Sequence, residues 1–210
     1  MRPVTKSRFQ PSSYFYDPYS DAKEELIDAI GGYCSYCERP GYSSALDVEH
    51  IRDKDTHPKR KNLWRNFLIG CKNCNPVKSR KSVLNMYFPT VQNTYEIFNY
   101  DHLGQVTVNT QLLTTQSERD RAQRLIDLVG LDRRPGHPQF SRKDKRWSDR
   151  KDAYLLAEKY LPKYRSGDVD VDTIIDLAKA KGFWSTWMTV FSAEPGVTTR
   201  LAQDFPGTRL

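Results

Sequence analysis

Cysteine is scarce in this 210-residue chain. There are four, and none lies outside two Cys-x-x-Cys pairs, Cys34-Ser-Tyr-Cys37 and Cys71-Lys-Asn-Cys74. That rules out a disulfide framework spread over the chain; in a reducing compartment, matched pairs point to metal binding. Long apolar runs are absent as well. None approaches the roughly 18 residues of a membrane span, and Met1 to Gln10 lacks the apolar stretch of a secretory signal. A soluble, cytoplasmic protein with no membrane partner is the expectation. No internal repeat and no low-complexity segment is present, which leaves one large domain or two small ones.

Acid is missing from one stretch in particular. Between Ile51 and Ser82 stand ten cations: Arg52, Lys54, Lys59, Arg60, Lys61, Arg65, Lys72, Lys78, Arg80 and Lys81. Only Asp53 and Asp55 oppose them. The formal net charge of the whole chain is +7, so the excess is concentrated here. A polyanion meeting this region is the natural inference.

The local patterns divide the chain. Residues 1–24 form an arm with Phe9, Tyr14, Phe15, Tyr16 and Tyr19, which suit docking on the body or on a partner. Ser20 is read as capping a helix whose apolar stripe is Ala22, Leu26, Ile27 and Ile30 and which Gly31-Gly32 ends. Leu46 to Ile51 alternates as a short strand, residues 52–63 form a basic loop, and Asn66 to Gly70 is an apolar run. Pro76 suits the first turn of a helix, placing Lys78 and Lys81 on its first turns. Strands are expected at 95–100 and 105–108 around an Asp101–Gly104 turn. Helices are expected at 119–129, about 146–161, 171–181 and 183–192. The last of these carries Trp184, Trp187, Met188 and Phe191 at helical spacing, read as core ahead of partner contact. The tail from Ala193, rich in Pro and Gly, reads as irregular. The fold class is α+β: a core over 25–90 that holds both cysteine pairs, then a β-hairpin and a helical region over 91–210.

Two Cys-x-x-Cys knuckles supply four thiolates, the donor set of a structural Zn²⁺ site. Thirty-three residues separate Cys37 from Cys71, too many for a simple zinc ribbon, so a small subdomain is folded between the knuckles. Within it stand Glu49-His50 after a strand, Asn62 and Asn66, and then Cys71-Lys-Asn-Cys-Asn75-Pro-Val-Lys78. This order resembles the HNH endonuclease family, whose fold is the ββα-metal motif. Glu49 stands where many members carry Asp, and Pro76 follows Asn75. The resemblance implies His50 as general base and Asn66 as the residue that holds the histidine loop. It implies Glu49 and Asn75 as oxygen ligands of a catalytic Mg²⁺ or Mn²⁺, and Cys34, Cys37, Cys71 and Cys74 as ligands of a structural Zn²⁺. Lys78, Arg80 and Lys81, with Lys59, Arg60 and Lys61, would meet phosphates of DNA or RNA.

The residue types suit that chemistry. Phosphodiester hydrolysis needs a base for water near neutral pH, which imidazole is, and a hard cation at the phosphate, which oxygen donors hold. His57, His102 and His137 lack any such setting. The alternative is a non-catalytic zinc-stabilised module that binds nucleic acid or bridges proteins. Val48-Glu-His-Ile, Trp64-Arg-Asn66 and the later Arg134-Pro-Gly-His-Pro and Arg142-Lys-Asp-Lys-Arg-Trp147 are similar to a narrower branch, the PtuB-type HNH proteins of Septu and related retron anti-phage systems. That similarity implies a defence effector with an ABC- or SMC-like ATPase partner of the PtuA type, and contact through the complex with a retron RNA or DNA component.

Overall fold

The segment between the cysteine pairs is two antiparallel strands followed by a helix. In the computed structural model, which describes residues 1–209, β1 (Leu46–His50) pairs with β2 (Phe67–Cys71), Leu46 opposite Cys71 and His50 opposite Phe67. All of β2 is buried, so it reads as an unbroken apolar run and not as an alternation. Helix α1 (Lys23–Ile30) covers this pair with Leu26, Ala29 and Ile30 turned inward. Helix α2 (Cys74–Lys78) completes the ββα unit. It stops at Lys78 because Ser79 adopts φ +47°, a left-handed conformation that ends a helix. Lys81 therefore lies beyond the helix, contrary to the expectation that both lysines sit on its first turns.

Next come a hairpin and helices. Strands β3 (Phe98–Tyr100) and β4 (Val106–Val108) pair antiparallel and are shorter than expected. Their turn is held by Asp101 Oδ1, which accepts from the amides of Leu103 and Gln105, and by Gly104 at φ +73°. Helix α3 (Gln116–Val129) starts three residues before the expected Arg119. Thr115 and Glu118 form a reciprocal capping box there, a Thr-x-x-Glu signal that the apolar stripe alone does not reveal. Helices α4 (Arg146–Arg165), α5 (Val171–Lys181) and α6 (Trp184–Val190) follow.

Two further expectations fail. The tail is not irregular: α7 spans Pro195–Asp204 and buries Val197 and Leu201. Pro195 is a helix start there, its missing N–H costing nothing in the first turn. Nor does Ser20 cap a helix. It lies inside a short 3-10 turn, Tyr19–Ala22, and makes no cap bond; α1 begins at Lys23.

The core has two parts. One surrounds β1, β2, α1 and α3. The other joins α5, α6 and α7 with Ala157 of α4, and there Trp184, Trp187, Met188 and Phe191 are buried as core. The arm docks on the body: Val4 bridges Thr208, Phe15 bridges Leu63, and Phe9 stacks on Trp64 at 6.0 Å. Among the described residues no helix is long and apolar enough to cross a membrane.

Candidate metal centre and nuclease site

The four cysteines converge. Their sulfurs all lie within 4.8 Å of one another, every residue is buried, and no disulfide is formed. With Zn–S bonds of about 2.3 Å, the edge of a tetrahedron is about 3.8 Å, and Cys37 Sγ and Cys71 Sγ stand 3.7 Å apart. Four soft donors at that spacing form a metal site that fits zinc. The amide of Cys74 points at Cys71 Sγ at 3.4 Å, as knuckle backbone does.

Beside this centre, β1 delivers Glu49 and His50 into a cleft of about 230 Å³, whose walls also include Tyr19, Asp53, Asn75 and Lys78. Glu49 and Asn75 are neighbours across Gly70. A side chain at position 70 would sit 3.0 Å from the Cβ of Glu49 and 3.5 Å from that of Asn75, so glycine lets the strand and the start of α2 bring the two together.

His50 is held on several sides. Its Nε2 donates to the Lys61 carbonyl at 2.8 Å. The rings of Tyr19 and Phe67 meet it edge-on at 4.6 and 5.3 Å. A neutral ring that donates from Nε2 carries its lone pair on Nδ1. Burial pushes the His50 pKa below its ordinary value, while the Lys61 carbonyl pulls the other way.

Asn66 sits at the base of the loop and closes it. Its Oδ1 accepts from the Arg52 amide at 2.9 Å, and its Nδ2 donates to the carbonyls of Arg52 and Arg60 at 2.9 and 3.1 Å. The loop that presents Lys61 to His50 is therefore stapled from both ends. Asn62, its neighbour in sequence, makes none of these bonds.

Lys78 is placed differently from the phosphate-facing residue that the sequence suggests. It is 1% exposed. Its ammonium pairs with Glu49 Oε1 at 2.7 Å and donates to the His50 carbonyl at 2.7 Å. Tyr36 also donates to Glu49 Oε1, at 3.2 Å. Both contacts fall on Oε1, which leaves Oε2 as the oxygen for the cleft. Burial raises the Glu49 pKa, with the Lys78 ammonium opposing it. Lys81 instead donates to the carbonyls of Asp127 and Leu128 in the last turn of α3. Arg80 is exposed and pairs with Asp55 at 2.8 Å. Lys59, Arg60 and Lys61 are all exposed on the loop.

The sequence reading missed Tyr19, Tyr36, Asp53 and Gly70. Tyr36 had a signal in its position between the two cysteines of one knuckle. Gly70 had one as a lone glycine in a strand, which marks close approach.

Residues 34–81 match the family model described as HNH endonuclease. Over 110 residues the chain is 33% identical to the Septu protein PtuB of Bacillus thuringiensis, covering 47% of this chain and 42% of that protein. The match thus spans less than half the length of that relative. A zinc-type knuckle pair enclosing a ββα unit, the family match on the same residues and the similarity to PtuB agree: residues 34–81 carry an HNH unit, and over the matched part the chain is similar to a PtuB-type protein.

Proposed function

We propose that this chain is a metal-dependent endonuclease that hydrolyses phosphodiester bonds of nucleic acid. It acts in anti-phage defence, in a complex with an ATPase of the PtuA type and any retron RNA or DNA the complex carries. The observation that supports this most is the state of His50. Its only ring N–H is spent on Lys61, so the basic Nδ1 belongs to a residue on the cleft wall beside Glu49 and Asn75. An imidazole fixed in that tautomer takes a proton from water without first reorienting. Asn66 contributes by holding the loop that carries the Lys61 carbonyl.

Glu49 and Asn75 offer hard oxygen donors side by side, which fits Mg²⁺ or Mn²⁺. Such an ion would supply charge stabilisation at the phosphate and its leaving oxygen. Lys59, Arg60 and Lys61 meet backbone phosphates and carry no base information. Arg80 joins them when it leaves Asp55. Four thiolates leave no open position for water, so zinc is structural.

The test is to purify the chain alone and with its ATPase, then assay plasmid DNA, single-stranded DNA and RNA with Mg²⁺, Mn²⁺ or chelator. His50→Ala is expected to abolish cleavage while leaving zinc content and nucleic-acid binding intact. Cleavage that survives this substitution overturns the assignment.

A further inference from the structure

The sulfur cluster has a neighbour outside the HNH segment. Arg146, in the first turn of α4, is 2% exposed and aims Nη1 at Cys74 Sγ from 3.1 Å. Its other N–H groups are all engaged. Nη1 also meets the Val129 carbonyl at 2.7 Å, Nη2 meets Gly130 O at 3.0 Å and Asp144 Oδ2 at 2.6 Å, and Nε meets Asp144 Oδ1 at 2.9 Å. One turn along α4, Arg150 is also buried. Its Nη1 donates to Gly104 O at 2.7 Å, while its Nη2 has no partner.

Two guanidiniums buried four residues apart repel each other and lose their hydration, a costly arrangement unless negative charge faces them. Asp144 supplies one unit. The Glu38 carboxylate acts on Arg150 as well, and a dication held by four thiolates, at about −2, would be the largest negative charge beside them.

We propose that Arg146 is an outer-sphere hydrogen-bond donor and counter-charge of the metal centre, and that through it metal binding fastens α4 to the nuclease segment. An N–H···S bond withdraws electron density from the thiolate and fixes its orientation, as partners of metal ligands do. The inference rests on the metal-site reading above. It adds that the site extends to a residue 72 positions beyond Cys74 in sequence.

The experiment uses the full chain and two variants, Arg146→Met and Arg146→Lys. Zinc transfer to a chromophoric chelator and the absorption of the Co²⁺-substituted protein are recorded for each. Arg146→Met is expected to keep a four-sulfur Co²⁺ spectrum, with the sulfur-to-cobalt band moved to lower energy. Its zinc affinity should fall on the order of tenfold or more. Arg146→Lys, which keeps the charge and loses the fork, should fall between. Affinity and band position unchanged in Arg146→Met would overturn the inference while leaving the metal site standing. A chain that binds no metal would remove both.

A measurement on the unmutated chain guards against variants that do not fold. Hydrogen exchange is followed with and without chelator. Amides in the first two turns of α4 should lose protection together with the knuckles, and protection there that ignores the metal counts against the proposal.

Discussion

Replacing Lys78 by Met separates an internal lysine from a phosphate-binding one. Glu49 is 3% exposed, and its counter-charge is the ammonium 2.7 Å away. Without it the carboxylate has two ways out. It can stay ionised in a poorly solvated site, and breaking a buried pair in this way costs about 3–5 kcal/mol. Or it can take a proton. From an unfolded-state pKa of about 4.3, protonation at pH 7 costs about 3.7 kcal/mol. The cheaper route sets the loss, so the charge effect is about 3–4 kcal/mol at pH 7. The His50 carbonyl also loses its donor, which adds about 1 kcal/mol at any pH. At pH 5 protonation costs only about 1 kcal/mol, and the total falls to about 2 kcal/mol. Denaturant unfolding of both proteins at pH 5 and pH 7 reads these numbers. Adding Glu49→Gln to Lys78→Met should recover most of the loss at pH 7. A destabilisation below about 1 kcal/mol at pH 7, or one equal at both pH values, would refute the reasoning and return Lys78 to the surface.

The remaining predictions concern the histidine and its loop. The His50 pKa is depressed by burial, so the neutral ring persists below the ordinary value of about 6.5; the acid limb of kcat/KM should have its midpoint under that value, and a midpoint at or above it would contradict the assignment. Stability follows the same sign: the contribution from burying the neutral ring is complete above about pH 6.5 and is lost as pH falls through the folded pKa, which unfolding curves between pH 5 and 8 would show. Asn66→Ala removes three loop-closing bonds and should cost about 2–3 kcal/mol; kcat should drop more than binding does, and an unchanged kcat would exclude its positioning role. Replacing Lys59, Arg60 and Lys61 with Ser should flatten the slope of log binding constant against log salt by about 2–3, whereas Lys78→Met should leave that slope alone.

Much of the site was legible because metal chemistry and helix signals are local in sequence. Two cysteine pairs at chelating spacing mark a metal site, and Glu49-His50 at a strand end with Asn75 directly after Cys74 stand out as candidates by type and order. What stayed hidden depends on direction. Nothing in the pattern of Lys78, Arg80 and Lys81 tells which one points inward; Ser79 at φ +47° ends the helix and separates them. The tail helix was hidden for another reason. Pro195 and Gly196 are the same residues whether they open a helix or break one, and only Val197 and Leu201 meeting the α5 and α6 core decide it. Tyr36 and Arg146 were invisible as partners because each is defined by what lies across the fold.

Those cross-fold partners bear on where the nuclease ends as a physical unit. Residues 34–81 carry the family pattern, yet both knuckles are bonded to the helical region. Glu38, the residue after Cys37, is buried and accepts from the Ser185 amide and hydroxyl at 2.8 and 2.5 Å. Its carbonyl accepts from the Phe183 amide at 2.9 Å, at the entrance to α6. The Arg2 amide reaches the same carboxylate from the arm. The second knuckle is bonded to α4 through Arg146 and Cys74, and α4 packs on α6. The two knuckles, α4 and α6 thus form a closed ring of contacts around the sulfur cluster. Cutting the chain at residue 90 would leave Glu38 with neither Ser185 donor and Cys74 without its guanidinium. Glu38 would keep the Met1 ammonium and the Arg2 amide, but each hydrogen bond to a charged group lost with the helices is worth about 1.5–3 kcal/mol, and the apolar faces they cover would meet water. The stability of a domain is only about 5–15 kcal/mol in total, so these losses compete with the whole of it. The helical region is on this reckoning part of what holds the two knuckles, and with them the ββα unit they enclose, in place.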